Sequence, residues 1–410
     1  MNFLKKLLFG SPQDQFAKAL MAEFLLAEDK QNLQYDKATF CLTNSNDEKM
    51  NLGDLYQQHC QLPPEQRPAH LKELVHVFML ANTEVPSSFE EARPNLRPKV
   101  WFRRTMANMR LQLRLNGKNE IKGEYGLNTP TYPLGEHLLT TVVYEQPPAL
   151  RSLSPADFEK WGVTYYEAME AACENLNRAS IGYSQIRNSL HAFRTADCYD
   201  TSRILLKEQI SSLDVLGEHV AMVPNRNALF VTGSEDDDGL KMMLKLAEEI
   251  QKESELKGQH WPTPPILLRL VDGEWEDWML PSTHELFTRF GQLRDGFFGN
   301  LYAGQKELLD AIHEKEGGPF VAAYSGAQKK PTDPILSFCV WSQDVDSLLP
   351  KTQVIVLAGP EGTAAIGEWD RVTDIVGDLL VADDSYYPVL YRANEFPTQE
   401  QLNAIGMLEV

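Results

Sequence analysis

Apolar residues recur at helical spacing in the first part of the chain. Phe16, Leu20 and Phe24 are four residues apart, so one face of a helix would be apolar. Residues 50–82 repeat a similar period, with a break at two adjacent prolines that cannot continue a helix. These patterns predict an α-rich N-terminal domain over residues 1–90.

The middle of the chain alternates between strand and helix patterns. Residues 219–232 and 266–280 each consist of two short apolar runs around a polar turn, which is typical of a β-hairpin. An amphipathic helix is predicted between them over residues 234–255, and another before them over residues 201–212. The order helix, hairpin, helix, hairpin favours an antiparallel sheet over an alternating parallel one. We therefore expect an α+β domain over residues 96–283.

The last part of the chain repeats this mixture of elements. A helical pattern extends from about residue 283 to His313 and ends at a Gly-Gly-Pro sequence. Strand candidates follow at residues 320–324, 335–341 and 353–357. They predict a third domain over residues 284–410. The sequence as a whole predicts a multi-domain α+β protein with antiparallel sheets and packed helices.

The charge balance excludes two classes of partner. The 410 residues contain 58 acidic and 39 basic side chains, a formal net charge of −19. General nucleic-acid binding needs a basic surface, and anionic membranes repel an acidic protein. No apolar run reaches the roughly 18 residues of a membrane span. Lys5 and Lys6 interrupt the apolar residues of the N-terminus, which does not fit a secretory signal. We expect a cytoplasmic protein without a membrane span.

Residue types that bind metals and cofactors are scattered. The five cysteines are far apart, and no two histidines stand four residues apart. Zinc sites need clustered ligands, and phosphate loops and nucleophile elbows need spaced glycines that are absent here. The sequence therefore predicts neither a metal site nor a cofactor, and it assigns no catalytic residue.

One basic segment stands out in this acidic chain. It begins at Arg97 and Lys99 and extends to Arg114, with Trp101 and Phe102 between the cations. Such a segment suits a phosphate, an RNA backbone or an acidic partner. Alternatively, these cations pair with the surplus carboxylates of the protein itself.

Two further motifs combine residues that suit ligand binding. Asp197 and Asp200 lie close to Arg203, a set that suits a divalent metal or a phosphate, or that caps a helix while Arg203 pairs back. Asn225 and Arg226 occupy a polar turn that either presents them to a ligand or is an ordinary hairpin turn. The binding candidates are thus Arg97, Lys99, Asp197, Asp200, Arg203, Asn225 and Arg226.

A series of short motifs extends over residues 133–280. The motifs are Pro133-Leu134-Gly135-Glu136-His137-Leu138, Val142-Val143-Tyr144, Phe158-Glu159-Lys160-Trp161-Gly162-Val163, Asn175-Leu176, Asp200-Thr201-Ser202-Arg203-Ile204-Leu205-Leu206 and Val223-Pro224-Asn225-Arg226. With them the region resembles the YtpQ-like bacterial family of unknown function. That family has no established activity, so the resemblance implies no catalytic residue. Asn227 stands where we expect an acidic residue, which speaks against a metal site at this turn.

Two functional hypotheses follow from these observations. The first is a non-enzymatic interaction or adaptor protein, whose protein partner and oligomeric state the sequence does not define. The alternative is an enzyme or binding protein for a phosphorylated or anionic small molecule, using the basic segment 97–114 and the motifs at 197–203 and 224–227. The alternative requires Asp200, Arg203 and Arg226 to meet at one concave pocket.

Overall fold

The computed structural model describes most of the chain. The described residues are 11–27, 32–37, 39–43, 49–81, 84–115, 117, 129–146, 149–179, 182–195, 197–256, 266–328 and 335–408. The N-terminal segment with Lys5 and Lys6 lies outside them. No helix within these ranges is both long and apolar enough to cross a membrane.

The chain divides into two compact units. The first consists of Met1–Asn95 and Val143–Ser152, and the second consists of Leu96–Val142 and Leu153–Val410. Residues on both sides of position 284 belong to the second unit. The three predicted domain ranges stay a prediction.

The first unit is built around the helices that the apolar spacing predicts. Phe16, Leu20 and Phe24 are buried together in its core. Ser11 and Asp14 form a reciprocal capping box at the start of the first helix, which satisfies amides that the helix leaves unpaired. Its elements are α1 (Pro12–Leu26), β1 (Gln34–Asp36), β2 (Cys41–Thr43), β3 (Lys49–Asn51), α2 (Gly53–Gln61), α3 (Arg67–Ala81), α4 (Phe89–Ala92) and a 3-10 turn (Arg93–Asn95).

The second unit contains a six-stranded antiparallel sheet. The second unit begins with three elements outside this sheet, β4 (Leu96–Phe102), α5 (Arg103–Leu115) and β5 (Tyr132–Leu134). The first residues of strand β6 (Leu138–Gln146) belong to the second unit and pair with β5. The last residues of β6, from Val143 onward, belong to the first unit and pair there with β7 (Ala149–Ser152). Next come α6 (Pro155–Trp161), α7 (Tyr165–Arg178), β8 (Ser184–Ile186), β9 (Leu190–Phe193), a 3-10 helix (Thr201–Leu205), α8 (Lys207–Ser211), β10 (His219–Asn225), β11 (Ala228–Gly233), α9 (Asp237–Leu256), β12 (Leu267–Val271) and β13 (Glu274–Trp278). The strand order is β13-β12-β10-β11-β9-β8.

Both faces of the six-stranded sheet are covered, and this explains its continuous apolar strands. Val220 and Met222 pack against α9 in one core, whereas Ala221 and Val223 pack into a second core on the other face. Alternate residues of a strand point to opposite faces, so a strand covered on both sides needs apolar residues throughout.

Two four-stranded sheets follow a long helix in the same unit. The helix is α10 (Phe287–Glu316), and the strands are β14 (Phe320–Val321), β15 (Ser325–Ala327), β16 (Leu336–Ser342), β17 (Ser347–Pro350), β18 (Val354–Gly359), β19 (Gly362–Glu368), β20 (Leu380–Asp383) and β21 (Leu390–Ala393). Helix α11 (Trp369–Val376), a 3-10 turn (Gly377–Leu379) and α12 (Gln399–Ile405) complete the chain. The orders are β14-β17-β21-β20 and β15-β16-β18-β19.

The predicted α+β class is confirmed, but these two sheets are mixed rather than purely antiparallel. β14 pairs with β17 in parallel, and β16 pairs with β18 in parallel. Between β16 and β18 the chain forms β17 in the neighbouring sheet, so β18 runs in the same direction as β16. A hairpin could not provide this return.

Candidate functional site

The predicted motif at 197–203 forms a closed network of ion pairs. The Arg203 side chain is 0% exposed, and its Nη2 lies 2.5 Å from Asp197 Oδ2. Arg203 Nη1 donates to Asp197 Oδ1 at 3.0 Å and to Asp200 Oδ1 at 3.4 Å. Asp200 Oδ1 also accepts hydrogen bonds from the amide and hydroxyl of Thr195. The two acids and the arginine therefore bind one another inside the protein.

The pKa of Asp197 reflects this pairing. Burial raises the pKa of the carboxyl, but hydrogen bonds from Arg203 and from the Tyr199 amide, with the Arg203 charge, lower it to about 2. Asp200 precedes the 3-10 helix without a side-chain capping bond, whereas Arg203 does pair back to it. Of the two structural roles expected here, the network shows the pairing and not the cap.

Two other predicted binding candidates, Lys99 and Arg226, lie near this network. Lys99 Nζ donates to the Cys198 carbonyl oxygen at 2.7 Å and lies 5.3 Å from the Tyr199 ring centroid. Burial lowers the pKa of Lys99, the Cys198 thiol raises it, and the charge of Arg226 lowers it again, which places Arg226 near this lysine. Lys99 thus uses its ammonium to hold the loop that carries Asp197.

Arg97 and Asn225 also make local contacts. Arg97 Nη1 donates to the carbonyl oxygen of Leu96, the preceding residue, at 2.8 Å. Asn225 Oδ1 accepts from the Asn227 amide at 2.8 Å, and its carbonyl oxygen accepts from Thr201 Oγ1. The hairpin turn is therefore tied to the segment that contains Arg203, and Asp200 and Arg203 face each other rather than an open pocket.

The remainder of the basic segment lies on α5. Arg114 forms an ion pair with Glu316 at 2.9 Å, and Arg110 Nη1 donates to the Ser385 carbonyl oxygen at 3.4 Å. Arg103 Nη1 donates to the Glu136 carbonyl oxygen at 3.3 Å. Arg114 thus pairs with a carboxylate, as the structural alternative expects, whereas Arg103 and Arg110 bind backbone carbonyl oxygens.

A cavity of about 660 Å³ lies elsewhere in the second unit. Its walls come from the turn before β6, from α10, from β16, β18 and β19, and from the segments beside β17 and β21. The residues that line it include Glu136, His137, Arg294, Asp295, Phe298, Tyr302, Tyr324, Ser337, Lys351, Gln353, Glu368, Trp369, Asp370 and Tyr391. None of the seven sequence-predicted binding candidates lines this cavity.

Arg294 is the main cation of the cavity. Its Nη1 lies 2.8 Å from the sulfur of Met279, and its guanidinium carbon lies 5.8 Å from the Phe298 ring centroid. A thioether is only a weak acceptor, and a guanidinium has five N–H donors. Within the described part of the chain, Arg294 forms no ion pair. Most of its donors thus have no strong acceptor among the described residues.

Lys351 adds a second cation at the same cavity. Its backbone amide donates to the Tyr302 hydroxyl at 3.2 Å, which fixes the position of the residue. Its exposed ammonium lies near enough to lower the pKa of Glu136 but forms no ion pair with any carboxylate among the described residues. Lys351 therefore contributes a positive charge that is free to meet a ligand.

Two carboxylates, exposed at Glu136 and half-buried at Asp295, face these cations. Burial raises the pKa of Glu136, the Asp277 charge raises it further, and Lys351, Arg103 and Arg294 oppose both effects. Burial likewise raises the pKa of Asp295 against the charge of Arg294, and Asp295 Oδ2 accepts from Gln353 Nε2 at 3.0 Å. The cavity holds acids whose charge its own cations compensate only in part.

His137 closes the inner end of the cavity as a neutral group. Its Nδ1 lies 2.8 Å from the Tyr387 hydroxyl oxygen. Burial, together with the charges of Arg294 and Arg103, lowers the pKa of His137 to about 3. The imidazole is therefore uncharged at neutral pH.

Aromatic rings form rigid apolar walls. Tyr302 and Tyr324 stack with centroids 5.5 Å apart and an interplanar angle of 13°. The Tyr302 hydroxyl donates to the Val389 carbonyl oxygen at 3.0 Å. Trp369 and Tyr391 form an edge-to-face pair with ring centroids 4.8 Å apart. These rings are therefore held by one another and by the backbone.

Metal-binding side chains do not come together in the described part of the chain. No group of three or more His, Cys, Asp or Glu residues with a suitable arrangement occurs there. The five cysteines are unpaired thiols; Cys41 and Cys339 are buried, and Cys60 and Cys198 are exposed.

No family model matches the chain, and neither a curated protein nor a solved structure is significantly similar to it. The resemblance of residues 133–280 to the YtpQ-like family stays a prediction.

Proposed function

We propose that the protein binds a small molecule carrying an anionic group in the cavity lined by Arg294 and Lys351. The observation that carries this proposal is Arg294, a partly buried guanidinium whose described contacts are a thioether sulfur and a ring face. A desolvated cation is costly unless a partner compensates it, and carboxylates and phosphates are the partners that match a guanidinium best.

The size and lining of the cavity support a small-molecule ligand. A volume of about 660 Å³ falls within the roughly 300–1,000 Å³ of typical ligand sites. Such sites combine apolar and aromatic walls with a few placed polar groups. Here the stacked pair Tyr302–Tyr324 provides the wall, and Arg294 provides the polar group.

This proposal keeps the ligand class of the second sequence-based hypothesis but changes the residues. Asp197, Asp200 and Arg203 form ion pairs with one another, whereas Arg294 and Lys351 line the cavity and form no ion pair among the described residues. An interaction or adaptor role stays a prediction. The proposal is for binding and includes no catalytic step.

The test is a thermal-shift screen at constant ionic strength. The panel contains inorganic phosphate, sugar phosphates, dicarboxylates, tricarboxylates and the standard amino acids. A genuine ligand stabilises the folded protein by about 2.7 kcal/mol at roughly a hundredfold excess over its Kd. Arg294→Met should abolish this shift.

The matched control is Arg289→Met on the same helix. Arg289 Nε donates to Glu248 Oε1 at 2.8 Å, outside the cavity. This variant should keep the wild-type ligand response. A screen in which no compound stabilises the protein, or in which Arg294→Met responds like the wild type, would overturn the proposal.

A further inference from the structure

The cavity that carries the proposed function holds unpaired groups of both signs. Glu136 has no cationic partner in the described residues: its nearest charged-type contact is His137 Nε2 at 3.8 Å, and His137 is neutral. Arg294 likewise has no carboxylate partner within ion-pair distance. Although the charges of Glu136 and Arg294 influence each other, the two side chains do not pair. A gap between an acid and a base, both open to one cavity, suits a molecule that carries both charges.

The total charge of the lining points the same way. Two cations, Arg294 and Lys351, face four carboxylates, those of Glu136, Asp295, Glu368 and Asp370. A ligand with only an anionic group would enter a site that already has an excess of negative charge, and like charges repel each other. A positive group on the same ligand removes this conflict.

The walls define the rest of the ligand. The stacked rings of Tyr302 and Tyr324, with Phe298 and Trp369, offer apolar surface beside the charged groups. A planar guanidinium matches the two oxygens of a carboxylate. We infer that the ligand is a small amino acid-like zwitterion, whose carboxylate meets Arg294 and Lys351 and whose ammonium meets Glu136. This inference rests on the proposed function and narrows its ligand class.

Isothermal titration calorimetry with three matched compounds tests the inference. The compounds are the amino acid that stabilises the protein most, its deaminated acid and its decarboxylated amine. We expect the amino acid to bind at least about tenfold more tightly than either analogue, since each analogue leaves one charged group without its partner. For a phenylalanine-type ligand the analogues are 3-phenylpropionate and phenethylamine.

Two variants separate the roles of the acid and the base. Glu136→Gln should weaken binding of the amino acid about tenfold and leave binding of the deaminated acid unchanged. Arg294→Met should weaken both. Glu307→Gln, at an exposed position of α10 outside the cavity, is the matched control and should bind like the wild type.

Each contrary result has a defined meaning. If the deaminated acid binds as tightly as the amino acid, the zwitterion is wrong and the proposed anion site stands. If phosphates or dicarboxylates stabilise the protein and no amino acid does, the inference is again overturned and the proposed function remains. If the amine binds and the deaminated acid does not, both are overturned.

Discussion

Two arginines of the second unit, Arg203 and Arg294, have opposite environments. Arg203 is fully buried and bonded to two carboxylates that stand within six residues of it in the sequence. Arg294 lines a cavity and meets a sulfur atom and a ring face. The charge of the first arginine is paired with two neighbouring carboxylates, whereas the second forms no ion pair among the described residues. Proximity of opposite charges in the sequence therefore predicts an internal ion-pair network here, whereas the proposed binding role of Arg294 rests on a cation without an ion pair among the described residues.

The largest effect that would test this comparison is loss of a carboxylate from the Arg203 network. Asp200→Ala leaves Arg203 buried with one acid instead of two. Breaking a buried ion pair costs about 3–5 kcal/mol, so we expect the free energy of unfolding to fall by that amount in urea denaturation.

An exposed ion pair provides the control for Asp200→Ala. Glu274 pairs with Lys207 at 2.8 Å, and the Glu274 side chain is 80% exposed. Glu274→Ala should cost no more than about 1 kcal/mol. Equal losses in the two variants would show that the Arg203 network is not a structural element, and the contrast with Arg294 would fail.

The next effect concerns His137 and pH. Its pKa falls from the ordinary histidine value of 6.5 to about 3 in the folded protein because it is buried. Below pH 6.5 the unfolded chain takes up a proton that the folded protein refuses, so stability is lost as the pH falls toward 3. The slope contributed by this group approaches about 1.4 kcal/mol per pH unit.

The measurement is urea unfolding of the wild type and of His137→Gln between pH 7 and pH 4. The variant lacks the titrating group, so its unfolding free energy should decline less steeply than that of the wild type. Parallel pH profiles would mean that His137 is accessible to protons, and the interior of the cavity would then be wetter than its packing indicates.

Local chemistry explains which parts of the fold could be predicted. The turn at Asp272 and Gly273 is confirmed, and both residues have the positive φ angles, 50° and 80°, that such a tight hairpin requires. The helix predicted over residues 201–212 is instead a 3-10 helix followed by the short helix Lys207–Ser211. Periodicity reports the type of element better than its continuity.

The candidate site could not be predicted for a different reason. Glu136, Arg294 and Lys351 are separated by more than 50 residues from one another, and no single sequence motif contains more than one of them. Only the fold brings them to one cavity. The signal available in the sequence was Glu136-His137 in a motif of the resemblance, and two adjacent ionisable residues before a buried strand do not identify a ligand.

A smaller effect is expected from the acid-induced loss of the Asp197 interaction. The pKa of Asp197 is lowered to about 2, with burial opposing and the Arg203 and Tyr199 hydrogen bonds producing the decrease. Its contribution is fully present above pH 3.8 and is lost as the pH falls toward 2. Because Asp197 is only partly buried, solvent screening limits this contribution to about 1 kcal/mol.

Asp197→Asn tests this effect by the same urea unfolding, with the pH series extended from pH 4 down to pH 2. The variant should be less stable than the wild type above pH 4, and the two curves should converge as the pH approaches 2. The window lies below that of His137, so the two groups can be distinguished in one experiment. A constant difference down to pH 2 would assign the loss to the shape of the side chain and not to its charge.

The smallest effect on stability is expected from Arg294→Met, and this result decides the comparison. The wild-type guanidinium has no carboxylate partner among the described residues, so its removal breaks no ion pair there, and methionine retains an unbranched apolar stem for the contact with Phe298. Residues kept for binding are often neutral or unfavourable for stability. We therefore expect the free energy of unfolding to change by no more than about 0.5 kcal/mol, or to increase. Arg203→Met, measured beside it, should be strongly destabilised because Asp197 and Asp200 lose their cation. If both arginines prove equally important for stability, Arg294 has a structural partner, and the argument for a ligand in its cavity fails with it.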